Sequence, residues 1–113
     1  MPGGVMTDGA RSVAANATTA NIMAGKTLEF MAEPSIVSFY IVAAATGIFA
    51  TVVLGGEIVV DDQQVSDANR WPRLTEDLLA RVGGSPGERV VVRLRNSTGA
   101  AIIVDSLVEV LPV

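Results

Sequence analysis

Apolar and polar residues alternate with a period of two along the last quarter of the chain. The alternation runs through residues 88–95 and again through residues 100–110, and the turn formers of residues 96–99 separate the two segments. A period of two is typical of a strand that buries one face. The pattern therefore predicts two adjacent strands joined as a β-hairpin. The buried-face positions are Val90, Val92 and Leu94 in the first strand and Ile102, Val104, Val108 and Val110 in the second.

The stretch from Lys26 to Val60 predicts further short strands. Residues 36–42 are β-branched or aromatic on both faces, so this strand should be covered on both sides. The pair Gly55 and Gly56 predicts a tight turn between the strands at 48–54 and 57–60. The strands are expected at residues 27–30, 36–42, 48–54 and 57–60.

Residues 61–87 lack a strand pattern and predict one long central loop. Within this loop, Thr75 is a suitable N-cap, because acidic residues follow it in what would be the first helical turn. Leucine or valine recurs there at four-residue spacing, and glycines at 83–84 would end a helix. The loop is therefore expected to contain one short helix of two turns. The recurring apolar residues are Leu74, Leu78 and Val82.

Residues 1–25 differ from the rest in being small and polar, with Asp8 and Arg11 as their only charges. They show neither a helical nor a strand period. Such a segment predicts a flexible N-terminal arm, or an arm that becomes ordered only across a neighbouring subunit. The expected organisation is an arm at 1–25 and an antiparallel β-sandwich domain at 26–113. On that division, deleting residues 1–24 should leave the fold intact.

Composition bears on the partners. Half of the 113 residues are hydrophobic, more than one small domain buries alone, so some apolar surface is expected between subunits. The net charge is −4, and a nucleic-acid binder that neutralises phosphates needs a basic surface. The composition therefore favours a homo-oligomer or other protein partners over nucleic acid.

A membrane span is the competing explanation for residues 36–54, which are long enough and carry no charge. The flanks carry Glu33 and Glu57 without a nearby Lys or Arg, which is the wrong pattern for orienting a span. Two packed strands are therefore preferred, and a membrane partner is not expected. The first nine residues have no positively charged or apolar region, so no signal peptide is expected.

The side-chain inventory limits catalysis. The chain has no His and no Cys, which excludes imidazole bases and thiolate nucleophiles, and Lys26 is its only lysine. Neither a P-loop nor a dinucleotide fingerprint is present. No catalytic residue, cofactor or metal ligand is predicted. Two alternatives stay open, a carboxylate pair among the acids of the central region and Ca²⁺ held by an acidic loop, although the spacing is not that of an EF-hand. The candidate carboxylates are Glu57, Asp61, Asp62 and Asp67, and the candidate Ca²⁺ ligands are Asp61, Asp62, Gln63 and Asp67.

Trp71 is the one aromatic residue of the central loop, and Arg70 and Arg73 lie close to it. It predicts either a cap on the core or an interface anchor, since Trp with Arg is the composition enriched at interface hot spots. Tyr40 is the other aromatic residue proposed for an interface. The predicted interface set is Trp71, Arg70, Arg73 and Tyr40.

The strand pattern of residues 26–113, with Pro-Gly-Glu-Arg-Val-Val-Val-Arg-Leu-Arg-Asn-Ser-Thr-Gly at 86–99 and Ile-Ile-Val at 102–104, resembles the small jelly-roll-type structural proteins of virus and phage particles. The resemblance implies a self-assembling capsid or decoration protein located in the virion. The absence of a basic arm favours a position away from the genome. A carbohydrate-binding sandwich module is the alternative, although such modules expose more aromatic residues than this chain has.

Overall fold

The computed structural model describes residues 4–68, 70–73 and 76–113, and these residues form β-strands and connections without a helix. Two antiparallel sheets pack face to face as a β-sandwich, which confirms the predicted all-β antiparallel sandwich. The large sheet has the order β1-β7-β2-β5, and the small sheet has the order β4-β3-β6. The strands are β1 (Gly4–Val13), β2 (Ser35–Ala43), β3 (Ile48–Leu54), β4 (Glu57–Gln64), β5 (Leu78–Gly84), β6 (Val90–Asn96) and β7 (Ile102–Pro112).

The core lies between the two sheets and takes every second residue along much of β2, β3, β6 and β7. On β6 and β7 the buried positions are those expected from the alternation, from Val90 to Leu94 and from Ile102 to Val110. On β3, Ile48, Ala50 and Val52 are fully buried. The period of two therefore identified the inward face of these strands correctly.

Strand β2 is buried on both faces from Val37 onward, as its sequence predicted, whereas Ile36 at its start is exposed. It pairs with β7 on one side and β5 on the other, so that Phe39 lies between Val108 and Ala80. Phe39 faces the core, and its neighbour Tyr40 on the opposite face is also nearly inaccessible. Something other than the small sheet must therefore cover the outer face of the large sheet near Tyr40.

The turn between β3 and β4 is confirmed, whereas the predicted hairpin of β6 and β7 is wrong. Gly55 and Gly56 both have positive φ, 62° and 87°, the conformation that a two-residue hairpin turn requires. Strands β6 and β7 belong to different sheets, so the segment between them crosses the sandwich. Alternation alone shows which face of a strand is buried, but not which strand lies beside it.

The N-terminal segment is part of the sandwich, so the prediction of a flexible arm is wrong for residues 4–25. Strand β1 pairs with β7 from Gly4 opposite Val110 to Val13 opposite Ile102. The chain then runs along the free edge of β6, where Thr19 N donates to Leu94 O at 2.8 Å and Met23 is fully buried. Backbone amides of these residues have partners in both sheets, and the folded unit therefore includes residues 4–25 together with residues 26–113.

Two other local predictions are also wrong. Residues 27–29 form turns in place of a strand, with Glu29 N donating to Lys26 O at 3.1 Å, and Phe30 forms only an isolated bridge with Arg89. Residues 78–84 form β5 and pair with β2 where the helix was expected, because the open edge of β2 satisfies their backbone groups. The proposed N-cap Thr75, with Leu74, lies outside the described residues.

The apolar stretch 36–54 forms β2 and β3, which lie in different sheets, and no spanning helix. Within the ranges given above, the structure contains no helix long and apolar enough to cross a membrane.

Candidate interaction surfaces

The connection between β4 and β5 lies across the outer face of the large sheet. Ser66 forms a parallel bridge with Val42, and Ala43 N donates to Ser66 O at 2.7 Å. Further along, the Trp71 ring lies over Gly9 of β1, where a Cβ atom would be 3.4 Å from Cζ3 of the ring. This connection therefore covers the half of the face that contains Tyr40 and Val42.

The carboxylate of Asp77 closes this connection. It accepts a hydrogen bond from Arg70 Nη2 at 3.1 Å and another from Arg73 N at 2.8 Å. Glu76 adds weaker contacts, 3.4 Å from Arg70 and 3.5 Å from Arg73. The contacts of both arginines thus stabilise the connection itself. Of the two, only Arg73 has a largely exposed side chain.

The four residues predicted for an interface lie in one region but differ in accessibility. Trp71 is 46% exposed and Arg73 is exposed, so both can contact a partner. Arg70 is half-buried in its ion pair with Asp77. Tyr40 is 1% exposed on the outer face of the large sheet, in the half that the connection covers, and cannot reach a partner without movement of that connection.

The other half of the outer face of the large sheet is bare and presents exposed apolar side chains next to Glu109 and Arg81. Leu111 lies opposite Ile36, and their side chains are 51% and 39% exposed. Val5, on the adjacent edge strand, is 52% exposed. Leu111, Ile36 and Val5 together are called the large-sheet patch below. Sequence alternation could not identify this patch, since it depends on where the central connection lies.

The outer face of the small sheet also has an apolar row. Val53 of β3 lies opposite Ile58 of β4 and Val91 of β6. Directly opposed residues of antiparallel strands share a face, so the three form a row across the sheet. Ile58 is 62% exposed, whereas Val91 is largely covered by its neighbours and is 8% exposed.

Opposite charges occupy the two edges of the small sheet. The charged residues of β4 are all acidic and those of β6 are all arginines, whereas β3 between them has no charged residue. Arg95 reaches across β3 to Asp62 in a bidentate pair of 2.9 and 2.8 Å, and its guanidinium lies 4.5 Å from the Phe49 ring centre. The hydrogen bonds from Arg95 lower the pKa of Asp62 from its ordinary value, and those to Asp62 raise the pKa of Arg95.

A second pair is found where the chain enters β6. Arg89 Nε donates to Glu29 at 2.6 Å, and Gly25 N donates to the same carboxylate at 2.8 Å. The Gly25 amide, followed by the Arg89 guanidinium, lowers the pKa of Glu29. Arg89 also lies over Phe30, 5.9 Å from the ring centre.

The charged residues on either side of Thr51, in the middle of the small sheet, include two that are unpaired. Strand β4 has a bulge at which Asp61 and Asp62 oppose Thr51, and Thr51 lies opposite Arg93. Neither Asp61 nor Arg93 makes an ion pair with any residue that the structure describes. An exposed acid and an exposed arginine therefore remain on the two edges of one face. The arginines of β6 were evident from the sequence, but their relation to the acids of β4 follows only from the sheet order.

Two acids of the loop suggested as a Ca²⁺ site have their oxygens engaged in separate places. Asp62 is paired with Arg95, and Asp67 accepts a hydrogen bond from Thr46 Oγ1 at 2.6 Å. Among the described residues there is no group of three or more potential metal-ligating side chains.

The chain matches no protein-family model, no curated protein and no solved structure in comparisons with known proteins. Its function must therefore be inferred from the surfaces of the molecule.

Proposed function

We propose that this chain is a non-enzymatic structural subunit that assembles with copies of itself, in the manner of the jelly-roll-type proteins that build or decorate virus and phage particles. The observation that carries the proposal is the exposure of apolar side chains on the outer faces of both sheets. The large-sheet patch lies on one side of the sandwich and Ile58 on the other. A particle subunit needs contacts on more than one side, and this distribution supports such contacts.

The edges of the sandwich favour contacts through its faces. Strand β1 has a bulge between Asp8 and Arg11, and β4 has two irregularities along its pairing with β3. Bulges interrupt the row of free backbone groups that would otherwise recruit another strand. The edge of β6 is covered by the chain around Thr19, and β5, at the fourth edge, has an irregularity between Leu78 and Ala80 in its pairing with β2. The exposed apolar faces are therefore the better candidates for assembly.

The partners and location follow from charge and composition. A net charge of −4 disfavours direct contact with nucleic acid, so the partners are copies of this chain or other particle proteins in the virion, with a decoration or outer-shell role preferred. The absence of His and Cys from the sequence supports a role without catalysis. The finer jelly-roll assignment is supported by the crossings between sheets, which the connections β2–β3, β4–β5, β5–β6 and β6–β7 all make.

Sedimentation velocity of the full chain tests self-assembly. We expect the weight-average mass to rise above 11.7 kDa as the concentration increases to roughly 500 µM, a range that detects weak complexes. A variant with Ile36→Thr and Leu111→Thr should associate less. Val113→Thr is the matched control, because Val113 is 85% exposed at the chain end outside both sheet faces. A monomer at every concentration contradicts the proposal.

A further inference from the structure

The small sheet is electrically polarised across its width. Its acidic strand β4 and its arginine strand β6 are separated by the uncharged β3, and neighbouring strands are about 4.8 Å apart. The two charged edges are therefore roughly 10 Å apart on one exposed face. Negative charge thus lies at one edge of the face and positive charge at the other, and such separation allows another surface of opposite pattern to be recognised.

We infer that the outer face of the small sheet is a self-complementary docking surface for a second copy of this chain. Two copies can face each other across a twofold axis that runs parallel to β3 between their small sheets. This axis places each β4 opposite the partner's β6. The acidic edge of each copy then faces the arginine edge of the other. The inference rests on the proposed self-assembly and specifies one of its surfaces.

The apolar row fits the same axis. The axis places Val53 against its own copy and the exposed Ile58 over Val91 of the second copy. Apolar side chains thus meet apolar side chains along the whole row, as on the facing sides of packed sheets. The charges and the apolar row agree on the same symmetry, and this agreement favours a second copy over an unrelated protein.

The charges left over within the chain match the same arrangement. Arg95 is satisfied by Asp62, whereas Asp61 and Arg93 have no partner among the described residues. Across the twofold axis, Asp61 of each copy faces Arg93 of the other. Each dimer therefore gains two intermolecular pairs without breaking the internal ones.

The size of the face indicates a weak contact. Three strands of about seven residues project an area of roughly 350 Å², compared with about 800 Å² per partner in a typical stable complex. We therefore expect a weak dimer in solution. Weak contacts of this kind are strengthened in a particle, where each subunit makes several at once.

Charge reversal tests the surface. The variants Arg93→Glu and Asp61→Arg each place two like-charged pairs in the dimer, and each should raise the dimer dissociation constant at least tenfold. The double variant restores opposite charges and should recover association. Arg81→Glu is the matched control, since Arg81 is exposed on the large sheet and makes no ion pair with a described residue.

Mixing the two single variants gives the sharper result. Arg93→Glu makes both unpaired positions acidic and Asp61→Arg makes both basic, so an equimolar mixture should associate more tightly than either variant alone. Circular dichroism first verifies that each variant is folded. If the wild type associates and all variants associate equally well, the contact lies elsewhere. That result overturns this surface and leaves the proposed function standing. A mixture that stays monomeric also overturns it, and a monomeric wild type removes both proposals.

Discussion

Asn96 joins three parts of the chain through one buried side chain. Its Nδ2 donates to Val13 O at 3.0 Å and to Ala100 O at 2.8 Å, and its Oδ1 accepts from Thr98 N at 2.9 Å. The residue is 1% exposed, so water cannot replace these partners. At the residue scale, the crossing from β6 to β7 therefore depends on this amide.

Replacing Asn96 by Ala should destabilise the fold by about 3 kcal/mol, because buried backbone groups would lose their hydrogen bonds. For a domain of this size the melting temperature should fall by roughly 10 °C. Gln63→Ala is the control, since Gln63 is an exposed amide on β4 and should change stability little. Urea denaturation of both variants measures the difference, and equal midpoints would show that the amide is dispensable.

The carboxylates of Asp62 and Glu29 should make the fold sensitive to acid. Their pKa values in the folded chain lie below the ordinary values of 3.8 and 4.5. As the pH falls through the ordinary values, the unfolded chain therefore binds protons first, and stability is lost as the pH drops through the lowered pKa values.

This loss of stability in acid can be measured from the urea midpoint between roughly pH 6 and roughly pH 3. The double variant Asp62→Asn with Glu29→Gln should show a shallower decline than the wild type. Glu57→Gln removes an acid that makes no ion pair in the described part of the chain, and its curve should follow the wild type. A double variant with the wild-type slope would assign acid sensitivity to other carboxylates.

At the scale of elements, β1 and the segment after it clasp the two sheets together. After pairing with β7, the chain is held to β6 by Asn21, whose Nδ2 donates to Val90 O and whose Oδ1 accepts from Val92 N at 2.9 Å. Four buried apolar side chains of this region belong to the core. They are Met6, Val13, Ile22 and Met23.

Deleting residues 1–24 should therefore abolish cooperative unfolding, contrary to what a flexible arm would give. The deletion uncovers the edges of β7 and β6 together with part of the core. A gentler change, Met23→Ala, should cost about 2–5 kcal/mol, whereas Val5→Ala on the exposed side of β1 should cost much less. Circular dichroism during urea titration measures all three, and a truncated chain with the full-length midpoint would contradict the observed role of β1.

The sequence predicted elements whose signal is local and missed those determined by distant partners. The inward residues of β6 and β7 and the Gly55–Gly56 turn follow from neighbouring residues alone. Strand β1 was missed because it is stabilised by backbone pairing with β7, which leaves no apolar period in its own residues. The apolar spacing around Leu78 also suits a helix, and only the open edge of β2 makes it a strand.

The candidate surfaces show the same limit. Trp71 and the arginines of β6 could be selected from the sequence as residues of interest. Their environment could not, since Trp71 lies over Gly9 and Arg95 pairs with Asp62 across β3. Neither contact joins residues that are close in the chain, and both depend on the order of strands in the sheets.

At the scale of the whole molecule, the two sides of the sandwich differ in how they can form contacts. The outer face of the large sheet is half covered by the central connection, and its bare half is mainly apolar. The outer face of the small sheet combines an apolar row with separated charges. An apolar contact strengthens or stays constant as salt is added, whereas a contact that depends on ion pairs weakens. Salt dependence therefore distinguishes the two sides.

Association through the small sheet should weaken when NaCl rises from about 50 mM to about 500 mM, because the Debye length shortens to a few ångströms. Copies of net charge −4 also repel one another, and salt relieves that repulsion. The double variant Arg93→Gln with Asp61→Asn resolves the two effects, since it removes the intermolecular pairs and keeps the net charge. We expect salt to weaken the wild-type dimer relative to this variant, as measured by sedimentation equilibrium. Parallel salt dependences would instead indicate association through the large-sheet patch.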